Sequence, residues 1–128
     1  MNRQPLQTAT LKVDAETIRA YAELTDDFNP IHLDPAFAAG TPMGGVIAHG
    51  TMSLCLLWQA LFRSFGDRAF DGLDLDIRFI KPVRLGETLC AGGTPSTDAG
   101  ADGCYDVWVR GEDGSDRVVG RLRPAPTC

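Results

Sequence analysis

The sequence predicts an α+β domain in which a curved antiparallel sheet wraps around a long central helix. Three observations carry that prediction. Residues 51–65, TMSLCLLWQALFRSF, set Met52, Leu54, Cys55, Leu56, Leu57, Trp58, Ala60, Leu61, Phe62 and Phe65 at nearly every azimuth of a helix. A helix that is apolar all round is expected to be buried all round, and at 1.5 Å per residue this one is roughly 22 Å long, the width of a small domain. Beyond residue 69 the pattern changes to four strand-like runs separated by turn clusters. One more alternating run stands near the start of the chain, and five strands with one apolar helix make a two-layer domain.

The elements follow in order. Residues 6–13, LQTATLKV, alternate loosely and read as a first strand. Asp14 reads as an N-cap, because Thr17, Ile18, Tyr21, Ala22 and Leu24 recur at helical spacing behind it. That helix should stop near Thr25. In LTDDFNPIHLD, residues 24–34, Asn29 precedes a proline and is pushed out of the α region, so the stretch reads as a loop stiffened by Pro30. Asp34 before Pro35 is an N-cap with proline at the first helical position, which opens a short helix over residues 35–39. GTPMGG, residues 40–45, is punctuation. After the central helix, LDLDIRFI at residues 73–80 alternates strictly, with Leu73, Leu75, Ile77 and Phe79 on one face. ETLCAGG, CYDVWVRG and DRVVGRLR follow as strands, with TDAGADG and EDGSD as turns. Residues 1–128 read as one domain, with 124–128 a loose tail.

Composition narrows the function classes. A net charge of −5 argues against a nucleic-acid surface, which needs clustered Lys and Arg. Four cysteines show no CxxC and no metal-ligand spacing, so a reduced, cytoplasmic chain is expected, with Cys55 a small core residue. Neither a signal peptide nor a membrane span is expected. A small sheet curled on one helix leaves an edge strand and an apolar rim, so a homodimer is expected.

Chemistry concentrates at residues 27–32. Asp27 and His32 together supply the acceptors and the donor that orient a water and move its proton, and the Asn29-Pro30 elbow can fold one back to the other. The alternative is a helix-terminating turn in which His32 satisfies a backbone carbonyl. Gly50 opens the central helix, whose first N–H groups lack partners and suit an anionic oxygen. It forms either an oxyanion hole or only a tight helix entry. His49, the other histidine, lacks a third ligand at suitable spacing. No metal site is therefore expected, and its role is packing or hydrogen bonding at the helix entry.

YAELTDDFNPIHLDPAFA at residues 21–38, VIAHGTMS at 46–53 and IRFIKPVRLGET at 77–88 resemble the MaoC-like, (R)-specific enoyl-CoA hydratase family. The resemblance implies a hot-dog fold in a dimer or larger assembly. It implies a hydro-lyase (an enoyl-CoA hydratase, equally a 3-hydroxyacyl-CoA dehydratase) of fatty acid metabolism that takes an acyl-CoA thioester and needs no metal or redox cofactor. Asp27 and His32 would be the catalytic pair, the Gly50 amide would bind the thioester oxygen, Asn29 would support the elbow, and Ser53 stands near where the family places a supporting hydroxyl, the alternative being a helix-interior serine that bonds its own backbone. Arg78, Lys81, Arg84 and Arg110 could meet CoA phosphates or form a solvated strand face, and His49 could touch substrate. Met43 and Trp58 could line an acyl pocket or be core. The position before Asp27 is usually glycine in this family and is Asp26 here, a departure that bears on the elbow and on substrate preference. Two other readings stand on the same fold. A thioesterase usually needs a carboxylate on or near the central helix, which residues 51–65 lack. A non-catalytic acyl-thioester-binding subunit would have no need for both Asp27 and His32.

Overall fold

The computed structural model describes residues 4–98, 100 and 103–124, so the tail expected at the C-terminus and part of the TDAGADG turn lie outside the described residues. Five antiparallel strands form one sheet: β1 (Ala9–Lys12), β3 (Thr88–Pro95), β4 (Tyr105–Arg110), β5 (Asp116–Arg123) and β2 (Asp74–Phe79), in that spatial order. The first and second strands are therefore the two edges. Between them in sequence run α1 (Ala15–Thr25), α2 (Pro30–Leu33), α3 (Pro35–Ala39) and the long α4 (Gly50–Phe65). Period-two alternation sends Leu89 and Ala91 of β3, Val107 and Val109 of β4, and Val118 and Leu122 of β5 into the core. There they meet Met52, Leu56, Leu57, Ala60 and Leu61 of α4. Each fully buried leucine contributes about 2 kcal/mol of transfer free energy, so this seam is the main stabilising contact.

Three expectations need correcting. The first strand begins at Ala9 rather than Leu6, although the Leu6 N–H still reaches the Gly93 carbonyl at 2.9 Å. The stretch expected as a plain loop contains a single helical turn, α2. Proline at its first position costs no hydrogen bond there, and the Asn29 side chain caps it by accepting from the Ile31 N–H at 3.1 Å. The central helix is not buried all round. Its sheet-facing side is buried, but Cys55, Gln59 and Phe62 are exposed and Trp58 is half-buried. One sheet layer reaches only one side of a helix, and an open groove of about 440 Å³ runs along the other past Cys55, Trp58 and Phe62. Cys55 is thus a surface residue, not a core one.

Two features brace the frame around the site. Asp14 caps α1 by accepting from the Thr17 N–H at 2.7 Å, a bond that holds its carboxyl below the ordinary value of 3.8. This cap is at full strength above that value and is lost as pH falls through the lowered one. Arg117 of β5 is only 6% exposed and was not anticipated. It pairs with Glu87 and with Asp113, and donates to the Ser115 carbonyl at 3.0 Å. Its own carbonyl accepts from the N–H groups of Ile80 (2.8 Å) and Lys81 (3.3 Å), so one buried cation ties the exit of β2 to the β4–β5 turn.

Candidate active site

The elbow is built by short-range hydrogen bonds that the sequence encodes directly. α1 ends with the Asp27 N–H donating to the Ala22 carbonyl at 3.1 Å, which requires Asp26 to turn left-handed (φ 55°, ψ 37°). This is the conformation glycine adopts most cheaply and aspartate tolerates. Asp26 therefore preserves the elbow that glycine would make, at a modest energetic cost. Asp26→Gly is expected to raise stability by about 0.5–1 kcal/mol in urea unfolding, and a loss of stability would contradict this account of the turn. Beyond it, the Asp27 carboxylate accepts from the Asn29 N–H at 3.3 Å, and Asp34 accepts from Ala36 and Phe37 at 3.0 and 3.2 Å. Three side-chain caps in eight residues leave this segment few alternative conformations.

His32 is half-buried on α2, and its Nδ1 lies 2.7 Å from the Ile47 carbonyl. A carbonyl only accepts, so the ring proton sits on Nδ1 and Nε2 is left as a free acceptor. His49 is 3% exposed, and its Nε2–H donates in the same way to the Asp27 carbonyl at 2.9 Å. The two imidazoles stack with centroids 3.8 Å apart and planes 27° apart. A carboxylate oxygen of Asp27 and one ring nitrogen from each histidine lie within 4.8 Å of one another. A single water spans that separation with two hydrogen bonds of about 2.8 Å. The turn and the convergence of polar groups coexist at residues 26–32: Asp27 closes a turn, His32 satisfies a carbonyl, and a carboxylate oxygen and a ring nitrogen still lie within 4.8 Å. Asp27 itself is exposed.

The third ligand type that sequence spacing lacked is supplied in space by His49. The stacking nonetheless sets the two rings side by side, with in-plane lone pairs in nearly parallel sheets. One oxygen and two ring nitrogens within 4.8 Å of one another make a donor set that suits proton transfer and that a metal ion could also take.

Gly50 begins α4, and the helix N-terminus carries no side-chain cap; the Met52 N–H donates to the His49 carbonyl at 3.1 Å, and the Gly50 and Thr51 N–H groups precede the first intrahelical bond. A Cβ at Gly50 would stand 3.3 Å from the Phe79 ring, so glycine also permits the close approach of β2. Beside it lies a largely apolar cleft of about 270 Å³, lined by Met43, Ile47, His49, Ser53, Phe79 and Lys81 among others. Ser53 is 2% exposed and forms part of that wall. Tyr21 packs edge-on to His49 with centroids 5.1 Å apart and donates to Thr51 Oγ1 at 2.7 Å, which joins α1 to α4. Desolvation pushes its phenol above the ordinary value, so it remains a neutral donor.

The MaoC-like domain family matches residues 1–97, three quarters of the chain. The chain belongs to that family. The MaoC-like domain is 36% identical over 77 residues to the (R)-specific enoyl-CoA hydratase of Aeromonas caviae, covering 60% of this chain and 58% of that protein. It is 41% identical over 90 residues to the 3-hydroxyacyl-thioester dehydratase Z of Mycobacterium tuberculosis, covering 66% of this chain and 59% of that protein. The chain thus spans a little over half the length of these curated relatives. In three dimensions it resembles the unliganded R-hydratase PhaJ1 of Pseudomonas aeruginosa with a TM-score of 0.74 at 25% identity, over 96% of this chain and 81% of that one. The fold is the hot-dog fold expected of the resemblance.

The remaining candidates of the MaoC-like domain divide. Lys81 lines the cleft, with Nζ 3.5 Å from Ser115 Oγ. Arg84 is exposed, its side chain donates to the Met43 carbonyl and its N–H donates to Glu87 at 2.6 Å. Arg78 is exposed on the outer face of the sheet. It joins a depression of about 610 Å³ that also holds Arg110, Arg121 and Trp108. Arg110 pairs with Asp116 at 2.9 Å and lies 4.1 Å over Trp108, while Arg121 pairs with Asp106 at 3.3 Å. That depression is lined by Arg78, Arg110, Arg121 and Arg123 against Asp76, Asp106 and Asp116, and it shares no lining residue with the cleft beside Gly50. Met43 belongs to the cleft wall, and Trp58 to the open face of α4.

Proposed function

We propose that this MaoC-like domain is a hydro-lyase that reversibly adds water to trans-2-enoyl-CoA thioesters to give the (R)-3-hydroxyacyl-CoA. The observation that supports it is the convergence of an Asp27 oxygen and a His32 nitrogen at one water's width, next to the uncapped start of α4. Asp27 and the Nε2 of His32 hold the water beside C3 of the substrate. Its oxygen bonds to C3, one of its protons passes through the pair to C2, and the charge that develops on the thioester oxygen meets the Gly50 N–H and the positive end of the helix. Asn29 holds the elbow, Ser53 supports the cleft wall, and Lys81 and Arg84 stand at its rim for the CoA portion. Addition of water to a conjugated double bond is redox-neutral, and these groups carry the protons, so the reaction as proposed uses no metal or redox cofactor.

The apolar lining suits an alkyl chain, and the cleft's volume of about 270 Å³ is the ground for proposing short or medium ones. A panel of trans-2-enoyl-CoA thioesters, followed by loss of the conjugated absorbance, tests the reading. The expected result is hydration without release of free thiol; thiol release without hydration would assign a thioesterase instead. The assembly proposed is a homodimer, because the exposed Phe79 and Ile80 at the β2 edge and the open side of α4 are apolar surface that a second copy would cover. Light scattering at micromolar concentration is expected to return twice the chain mass. Among the described residues Cys55 and Cys90 form no disulfide, which fits the reduced cytoplasmic setting proposed for the chain, and no helix there is long and apolar enough to cross a membrane.

A further inference from the structure

We propose that His49 is a positioning residue that holds Asp27 and His32 in register with each other. The proposal rests on the hydration reading above. His49 is the N-cap of α4, yet it makes no capping hydrogen bond, although Ser, Thr, Asp or Asn at that position would satisfy a helix N–H. Helix formation alone does not account for a histidine there. Its ring is spent elsewhere. Nε2–H reaches back 22 residues to the Asp27 carbonyl at 2.9 Å, and one face of the ring lies on His32 at 3.8 Å. Tyr21 meets the ring edge-on at 5.1 Å.

The grip comes from two directions at once. The hydrogen bond fixes the backbone at Asp27, where the chain has just left the left-handed turn at Asp26. The stack fixes the plane of His32, whose own Nδ1–H is anchored on Ile47, two residues before His49. Residues 47–49 therefore form a socket that receives the backbone of Asp27 and the ring of His32. The arrangement carries a cost, since His49 Nδ1 is buried without a hydrogen-bond partner. An unpaired buried acceptor is uncommon and is tolerated where the rest of the ring is held for a purpose.

Two substitutions separate the two grips. His49→Gln keeps an amide donor near the position of Nε2 and removes the stacking face. His49→Phe keeps the face and removes the donor. Each is expected to lower kcat for hydration of a trans-2-enoyl-CoA by about tenfold to a hundredfold, the scale of a small misplacement of reacting groups, with KM within about twofold of wild type. In an Asp27→Asn background the same changes should add less than about twofold, because residues that act as a unit are not additive. Wild-type kcat in either single variant, or an undiminished loss in that background, overturns the proposal. Ring ¹⁵N chemical shifts of the wild-type protein give a readout that depends on neither turnover nor the folding of a variant. The His49 proton should reside on Nε2 and the His32 proton on Nδ1, and tautomer-averaged shifts for either ring would overturn it. A wild-type protein inactive on every enoyl thioester refutes the hydration reading alone, and the ring shifts still decide the placement.

Discussion

Asp27→Asn and His32→Asn are each expected to slow hydration of a trans-2-enoyl-CoA by about a thousandfold, within the range that positioned acid–base groups contribute. Both substitutions are chosen to spare the scaffold. An asparagine at 27 retains an oxygen that can accept from the Asn29 N–H, so the turn survives while the carboxylate is lost. An asparagine at 32 can still donate to the Ile47 carbonyl from the position of Nδ1 but offers no nitrogen lone pair in place of Nε2. Circular dichroism and the unfolding midpoint should therefore stay near wild type while the rate collapses. The double variant should be little slower than the slower single one, because both groups serve one water. A rate within a few-fold of wild type in either single variant would remove that residue from the chemistry.

The second large effect is on stability. Glu87→Ala is expected to cost about 3 kcal/mol, the scale for stranding one partner of a buried ion pair. That is a substantial part of the 5–15 kcal/mol that holds an ordinary domain together. Arg117 would stay buried with its closest anion gone, and the hydrogen bond with Glu87 is the chief influence holding its guanidinium above the ordinary value. The Arg84 N–H would lose its acceptor in the same stroke. Replacing both members, as in Glu87→Leu with Arg117→Met, should recover most of the loss, since an apolar pair leaves no charge to desolvate. Urea unfolding of the two variants checks this. A Glu87→Ala protein within about 0.5 kcal/mol of wild type would mean that Asp113 and solvent suffice for Arg117.

Most of the architecture was legible because local signals and the hydrophobic period agreed. Asp14 and Asp34 announced their helices, the strict alternation at residues 73–80 announced β2, and Gly50 marked the start of the long helix within one residue. What could not be read was whatever depends on a neighbour distant in sequence. The apolar count of α4 is the same whether a side chain meets the sheet or a groove, so Cys55 and Phe62 were placed inside when only one layer is there to cover them. Arg117 has Asp113 and Ser115 close by in the β4–β5 turn, but the anion that meets it most closely, Glu87, lies 30 residues away and shows no pairing in the linear sequence. At the site the reach of Asp27 and His32 followed from the elbow. His49 was left at the helix entry because nothing in a linear spacing of 17 residues reveals that two rings are stacked.

The division of labour along the chain has a further consequence. The groups proposed to handle protons hang from residues 27–50, whereas much of the cleft wall comes from Phe79 to Val83 and from Val118. Under the proposed function, chain-length preference can drift through those later positions while residues 27–50 stay untouched. Selectivity would to that extent be an interchangeable part.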